Sequence, residues 1–232
     1  MQFPFEQFPT LSAIGICRHV FTQRIPGIDV LHAKAEALKR LDAAHREVRQ
    51  AIGVGDWPLF TAEQIHGNKI AVLDTWSRGP VGREFAGCDG IITNQRGIAL
   101  GVYVADCCAV YIVDPQTPAI GLVHSGRKGT ALGVVSNVIN QLIACFGSNP
   151  ANMIVQLSPC IRPPHYEIDF AAEVVRQCRT LGVKQVHDSG VCTACDLDRY
   201  YSYRAEKGKT GRMLALIGLD PTMEIKRNNV HF

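Results

Sequence analysis

The sequence predicts an α+β protein with mixed α/β layering, on two observations. Apolar strand-like runs crowd the stretch 59–123 too closely for a helix to separate each pair, and amphipathic helical patterns stand before, between and after the strands. That spacing excludes a regular βαβ alternation.

In order, 14–22 reads as an early strand and 30–52 as a helix. Leu31, Leu38, Leu41, Val48 and Ile52 share one helix face, and Lys34, Lys39, Asp42, Arg46 and Arg49 form a solvated one. Gly53 and Gly55 stop this helix. Strands are expected at 59–66, 69–74, 90–93, 98–104, 109–113 and 119–123, with Cys88-Asp89-Gly90 as a turn before one of them. A second helix is expected at 130–146, ended by Gly147-Ser148-Asn149-Pro150, and a strand at 153–157. The third helix, 170–181, has Asp169 as N-cap and Gly182 just past its end, and 213–219 is the last strand. Without repeat, low-complexity tract or linker, the chain reads as one domain.

At 232 residues, 47% hydrophobic and 19% charged, the chain can bury a core, and a net charge of +3 gives no case for nucleic acid or a membrane surface. No apolar run approaches the roughly 20 residues of a membrane span. Nine irregularly spaced cysteines argue against a disulfide framework, and the start Met1-Gln2-Phe3-Pro4-Phe5-Glu6 lacks the marks of a signal peptide. The expected setting is reducing and cytoplasmic, with thiols free for ligation or chemistry.

The chemistry gathers where a thiol opens one strand and an imidazole closes the next. Ala105-Asp106-Cys107-Cys108 precedes the run 109–113, and His124-Ser125-Gly126 follows 119–123, with Asp114-Pro115-Gln116-Thr117-Pro118 between them. Paired as a hairpin, these strands bring Cys107 beside His124, and Gln64-Ile65-His66-Gly67 ends an earlier run with a second imidazole. A catalytic zinc takes three such ligands and keeps one open position, so His66, Cys107 and His124 are a candidate metal triad. Their spacing matches no compact zinc-finger signature, and a buried thiol with two hydrogen-bonded histidines remains the plain alternative. Cys107 as nucleophile with His124 as base is a further reading. Cys192-Thr193-Ala194-Cys195 has no second Cys-x-x-Cys to complete a zinc ribbon. Gly126-Arg127-Lys128-Gly129, just ahead of the second helix, offers an anion site of backbone N–H groups and two cations. Arg204, Arg212, Arg162 and His165 are further residues for the same pocket.

These motifs, with Ser158-Pro159-Cys160-Ile161 through Tyr166-Glu167, Ser202-Tyr203-Arg204 and Thr210-Gly211-Arg212-Met213, stand in an order that resembles the YfiH-type family over about 14–219. That family is filed as laccase-like multicopper polyphenol oxidase and is understood as purine nucleoside phosphorylases, some also deaminating adenosine. The resemblance implies a single YfiH-like α-β-β-α sandwich over 1–232 and a metal triad of His66, Cys107 and His124. It also implies zinc, with copper as the other occupant, and a purine nucleoside and phosphate as partners. In that enzyme Asp106, Cys107 and His124 are the expected catalytic set, Asp106 as acid or orienting group, and Arg127, Lys128 and Arg204 the phosphate- and substrate-binding set. The chain departs from the pattern at Arg127-Lys128, where the family has Trp-Arg, and in the segment near 28–31. Eight histidines, none in His-x-His spacing, suit a multicopper cluster poorly. The same residues also admit a Cys107/His124 hydrolase and a non-catalytic metal-binding relative.

Overall fold

Side-chain alternation along the strands divides the apolar residues into an inner and an outer set, and strand pairing gathers them into two layers. The computed structural model describes residues 3–74 and 83–223. The first strands are β1 (Phe5–Glu6), β2 (Cys17–Thr22), β3 (Leu59–Ala62), β4 (Ile70–Leu73), β5 (Glu84–Phe85) and β6 (Gly90–Thr93). Then come β7 (Ala99–Val104), β8 (Cys108–Asp114), β9 (Ala119–Ser125), β10 (Ile154–Leu157), β11 (Gln185–Asp188) and β12 (Met213–Leu219). The helices are α1 (Pro9–Ser12), α2 (Lys34–Ala51), α3 (Arg127–Ala131), α4 (Val134–Phe146) and α5 (Phe170–Thr180). One sheet runs β1-β2-β12-β7-β3-β5 and the other β11-β10-β8-β9-β6-β4. Both are mixed: β12 is antiparallel to β2 and β7 while β7 is parallel to β3, and β8 is antiparallel to β9 and β10 while β10 is parallel to β11.

Phe21, Val102, Met213 and Ile217 of the first sheet join Tyr111, Val113, Ile120 and Leu122 of the second in one inner core. Each such fully buried aliphatic side chain contributes about 1.5–3 kcal/mol. Tyr111 brings a hydroxyl into this core, where it donates to the Val20 carbonyl at 2.8 Å and ties the two sheets together. On the outer face of the first sheet, Val20, Leu214 and Leu216 pack with Val48 and Ile52 near the end of α2. On the outer face of the second, Val110, Ile112 and Val123 pack with Val138 and Leu142 of α4 and Val174 of α5. The layers are helix, sheet, sheet, helix: the α-β-β-α sandwich. Among the described residues no helix is long and apolar enough to cross a membrane.

The differences from the sequence reading have local causes. The helix expected from residue 30 begins at Lys34. Asp29 accepts the Leu31 N–H at 3.2 Å and faces His32 at 3.0 Å, so this turn precedes the helix and Leu31 is 63% exposed. The helix expected at 130–146 is two helices, because Gly133 adopts φ +73° and breaks the ladder; the first of them begins at Arg127, so Arg127 and Lys128 lie within the first turn of α3 instead of preceding a helix. The strand expected at 59–66 ends at Ala62, since Gln64 and His66 take φ +67° and +61°.

Candidate metal and catalytic site

Register brings the principal residues together. In the β8–β9 hairpin Ala109 lies opposite His124 and Cys108 opposite Ser125, which sets Cys107 beside Gly126. Asp114 closes the hairpin turn by accepting the N–H groups of Gln116 and Thr117 at 2.9 and 3.2 Å. Cys107 and His124 share the alternation of Tyr111 and Leu122 and so stand on the inner face, at one end of the sandwich. A Cβ on residue 126 would lie 2.5 Å from the Cys107 sulfur, so the close approach requires the glycine.

His66 arrives from the loop after β3. Gln64 pins that loop to β7, its amide donating to the Tyr103 carbonyl at 2.7 Å and its oxygen accepting the Tyr103 N–H at 2.9 Å. The wholly buried Asp89 holds the next residues: its carboxylate accepts the N–H groups of His66 and Gly67 at 2.8 and 2.6 Å and faces His124 Nδ1 at 3.0 Å. Left-handed conformations at Gln64, His66 and Asp106 (φ +84°) cost about 1–3 kcal/mol each, and these hydrogen bonds hold the first two in place. The His66 Nε2 to Cys107 Sγ distance is 3.9 Å, and the His66 and His124 rings stand perpendicular at 4.7 Å. One ligand atom from each of His66, Cys107 and His124 lies within 4.8 Å of the others.

The charges suit ligation. Burial opposes ionisation of Cys107, but His124 and then His66 outweigh it and bring the thiol down to about 6. Burial likewise opposes the His124 imidazolium, but Cys107 and Asp89 raise it to about 9. Burial opposes the Asp89 carboxylate, yet the bonds from His124, Gly67 and His66 hold it below the ordinary range. With Nδ1 turned to Asp89, the other His124 nitrogen is left for a ligand, the carboxylate–histidine support common behind metal-bound imidazoles. One thiolate and two imidazoles, with one coordination position to spare, fit a zinc ion.

Beside the triad lies a cavity of about 650 Å³. Lys34, Arg127, Lys128 and Arg212 line it together with Tyr166 and Tyr203. Asp106 also lines it, with both carboxylate oxygens engaged: Oδ1 accepts from the Thr193 hydroxyl at 2.8 Å and Oδ2 from the Arg204 N–H at 2.7 Å. Its carbonyl accepts the Ile161 N–H at 2.8 Å, so Asp106 draws three loops to the site. Arg204 reaches the cavity, and its guanidinium pairs with Glu167 at 3.2 Å and lies 4.9 Å over Tyr166. Arg212 is buried, donating to the carbonyls of Thr210 and Gly211 at 2.7 and 2.8 Å.

Two expected lining residues lie elsewhere. Arg162 turns away to pair with Asp188, and His165 stands with Cys192 and Cys195. Asp89, Gln64 and Lys34 were not among the expected site residues. For Asp89 the signals are its place between Cys88 and Gly90, which reads as a turn, and the run Cys88-Asp89-Gly90-Ile91-Ile92-Thr93, which resembles a motif of the family.

The comparisons with known proteins agree with this architecture. Residues 28–177 and 165–220 match the family model described as multi-copper polyphenol oxidoreductase laccase. The chain is 30% identical to purine nucleoside phosphorylase SCO2081 of Streptomyces coelicolor, over 76% of this chain and 82% of that one. It is 28% identical to purine nucleoside phosphorylase YlmD of Bacillus subtilis, over 68% and 69% respectively. The solved structure of YlmD from Geobacillus stearothermophilus superposes with a TM-score of 0.79 at 22% identity, covering 94% of this chain and 99% of that one. The Bacillus licheniformis YfiH structure gives 0.75 at 23% identity, covering 88% and 93%. With the family model spanning most of its length and the sandwich shared with these structures, the chain belongs to the YfiH-like, multi-copper polyphenol oxidoreductase laccase family.

Proposed function

We propose that the protein is a purine nucleoside phosphorylase with zinc held by His66, Cys107 and His124. The reaction splits the glycosidic bond between C1′ and the purine nitrogen with inorganic phosphate, giving free base and sugar 1-phosphate. The observation that carries this reading is the convergence of the three ligands on a cavity lined by cations and tyrosines. The names of the curated relatives support the same class.

Zinc, when bound, supplies a Lewis acid at its open position. Asp89 fixes the orientation of His124 and the backbone carrying His66. Arg127 and Lys128, exposed on the first turn of α3, meet the phosphate, whose negative charge offsets the oxocarbenium character developing at C1′. An oxygen of hydrogen phosphate bonds to C1′ as the glycosidic bond breaks, and the proton that the phosphate gives up balances the one taken up by the departing purine nitrogen. Tyr166 and Tyr203 are aromatic residues of the cavity wall against which the base would pack. Asp106, with both oxygens engaged, acts as a positioning residue, holding the loops of Thr193 and Arg204.

Incubation with adenosine, inosine and methylthioadenosine, with and without phosphate, tests the proposal. Phosphate-dependent release of base from at least one is expected, and release from none overturns it. Inosine formed from adenosine in the same incubations reads out deamination.

Copper is the second ion that this donor set accepts. A laccase reaction is disfavoured, because a multicopper cluster needs many more imidazoles than the two gathered here among the described residues. A second reading takes Cys107, His124 and Asp89 as nucleophile, base and orienting acid of a hydrolase, which the low thiol pKa and the Asp89–His124 contact favour. A metal-free isolate with one hyperreactive thiol at Cys107 selects this reading.

A further inference from the structure

We propose that His165, Cys192 and Cys195 form a second metal site, for a thiophilic divalent ion of the zinc class, clipping two loops together beside the main cavity. None of the three belongs to the triad, and one ligand atom from each lies within 4.8 Å of the other two.

The separations match coordination geometry. A tetrahedral ion with metal–sulfur bonds of about 2.3 Å and a metal–nitrogen bond of about 2.0–2.1 Å places nitrogen and sulfur about 3.5–3.6 Å apart. His165 Nδ1 lies 3.8 Å from Cys192 Sγ and 3.4 Å from Cys195 Sγ, bracketing that edge. The two thiols come from one Cys-x-x-Cys turn, closed by the Cys195 N–H donating to the Cys192 carbonyl at 3.2 Å. The two-residue spacing is the one by which paired cysteines grip zinc. The turn is itself anchored: Cys192 forms a parallel bridge with Cys160, and the Thr193 N–H donates to the Cys160 carbonyl at 3.2 Å. His165 and Cys195 are exposed and Cys192 half-buried, so an ion reaches the site without local unfolding. Two thiolates and one neutral imidazole balance a divalent charge and leave one position for water.

The ion's place gives it a role. His165 adjoins Tyr166, which lines the cavity, and Cys192 adjoins Thr193, whose hydroxyl holds Asp106. Joining the two turns fixes one wall of the cavity to the residue that positions Asp106.

The test uses the full-length protein, reduced and stripped of metal, then reloaded with zinc or cobalt(II). In Cys107→Ser, which removes the thiolate of the first site, one equivalent of cobalt bound with thiolate-to-cobalt charge-transfer absorption is expected. The band should vanish in both Cys107→Ser/Cys195→Ala and Cys107→Ser/His165→Ala, with thermal unfolding confirming that each variant folds. The zinc-loaded Cys107→Ser protein should also unfold at a higher temperature than its stripped form, and the second substitution should abolish that difference. A Cys107→Ser protein that binds no cobalt through thiolate, or double variants that keep the band, overturns the proposal. Failure of the first site would instead appear as unchanged stoichiometry between the parent protein and Cys107→Ser.

Discussion

Asp89→Asn isolates the support behind the triad. The native carboxylate has two accepting oxygens, Oδ1 serving the His66 N–H and His124 Nδ1 and Oδ2 serving the Gly67 N–H. Asparagine keeps the shape and has one acceptor. If its oxygen stays with His66 and His124, its amide nitrogen confronts the Gly67 N–H; if it flips, two partners are lost. Leaving one buried donor unsatisfied costs about 1–3 kcal/mol, which urea unfolding of the metal-free protein should show. Loss of the carboxylate behind His124 should also weaken metal binding about 10–100-fold, the usual effect of removing such a partner, equivalent to about 1.4–2.8 kcal/mol. Zinc competition against a chromophoric chelator, in a Cys195→Ala background so that only the triad titrates, reads the affinity directly. An affinity within twofold of the parent's would refute the role given to Asp89.

Three further outcomes are expected. Gly126→Ala places a methyl 2.5 Å from the Cys107 sulfur, about 1 Å inside an ordinary contact of about 3.5 Å; metal affinity should fall more than tenfold, and unchanged binding would contradict the packing described. In metal-free protein, alkylation of Cys107 by iodoacetamide should be half-maximal near pH 6 and fall as the thiolate protonates below it, while His124→Gln should move the midpoint up by more than one pH unit; a midpoint above 8 in the parent would contradict the ion pair. Burial lowers His19 and His45 to about 4 each, so the unfolded chain binds more protons between pH 4 and 6.5, and stability is lost as pH falls through that window. Each histidine should remove on the order of 2 kcal/mol by pH 5. His19→Gln keeps an acceptor for the Phe8 N–H, bonded to the ring at 2.7 Å, and should flatten part of this acid limb; an unaltered slope in urea unfolding would contradict it.

The hairpin was the most legible element. Uninterrupted apolar runs on both sides of a proline-bounded turn specify β8 and β9, and pairing their ends places Cys107 near His124. The strand 90–93 and the closing strand 213–219 were legible for the same reason, being short apolar runs between turn signals. Strands β1 and β5, two residues each, carry no periodicity and exist because a neighbouring strand offers its edge. β11 alternates weakly and is fixed by its parallel pairing with β10. Asp89 was illegible as a support for the triad because its partners lie in two distant segments, His66 and Gly67 before it and His124 after it, and Cys192 and Cys195 meet a histidine 27 and 30 residues away, beyond α5 and β11, where no local pattern reaches. Arg162 shows the converse: a basic residue in a motif-rich stretch, drawn off by an acid on β11.

Anomalous diffraction at the zinc edge, from crystals of the zinc-loaded protein, tests the central claim most directly. A peak bonded to His66, Cys107 and His124, with a fourth position taken by water or phosphate, is the predicted result. Three side chains in their present positions with no peak between them, under saturating zinc, would contradict it.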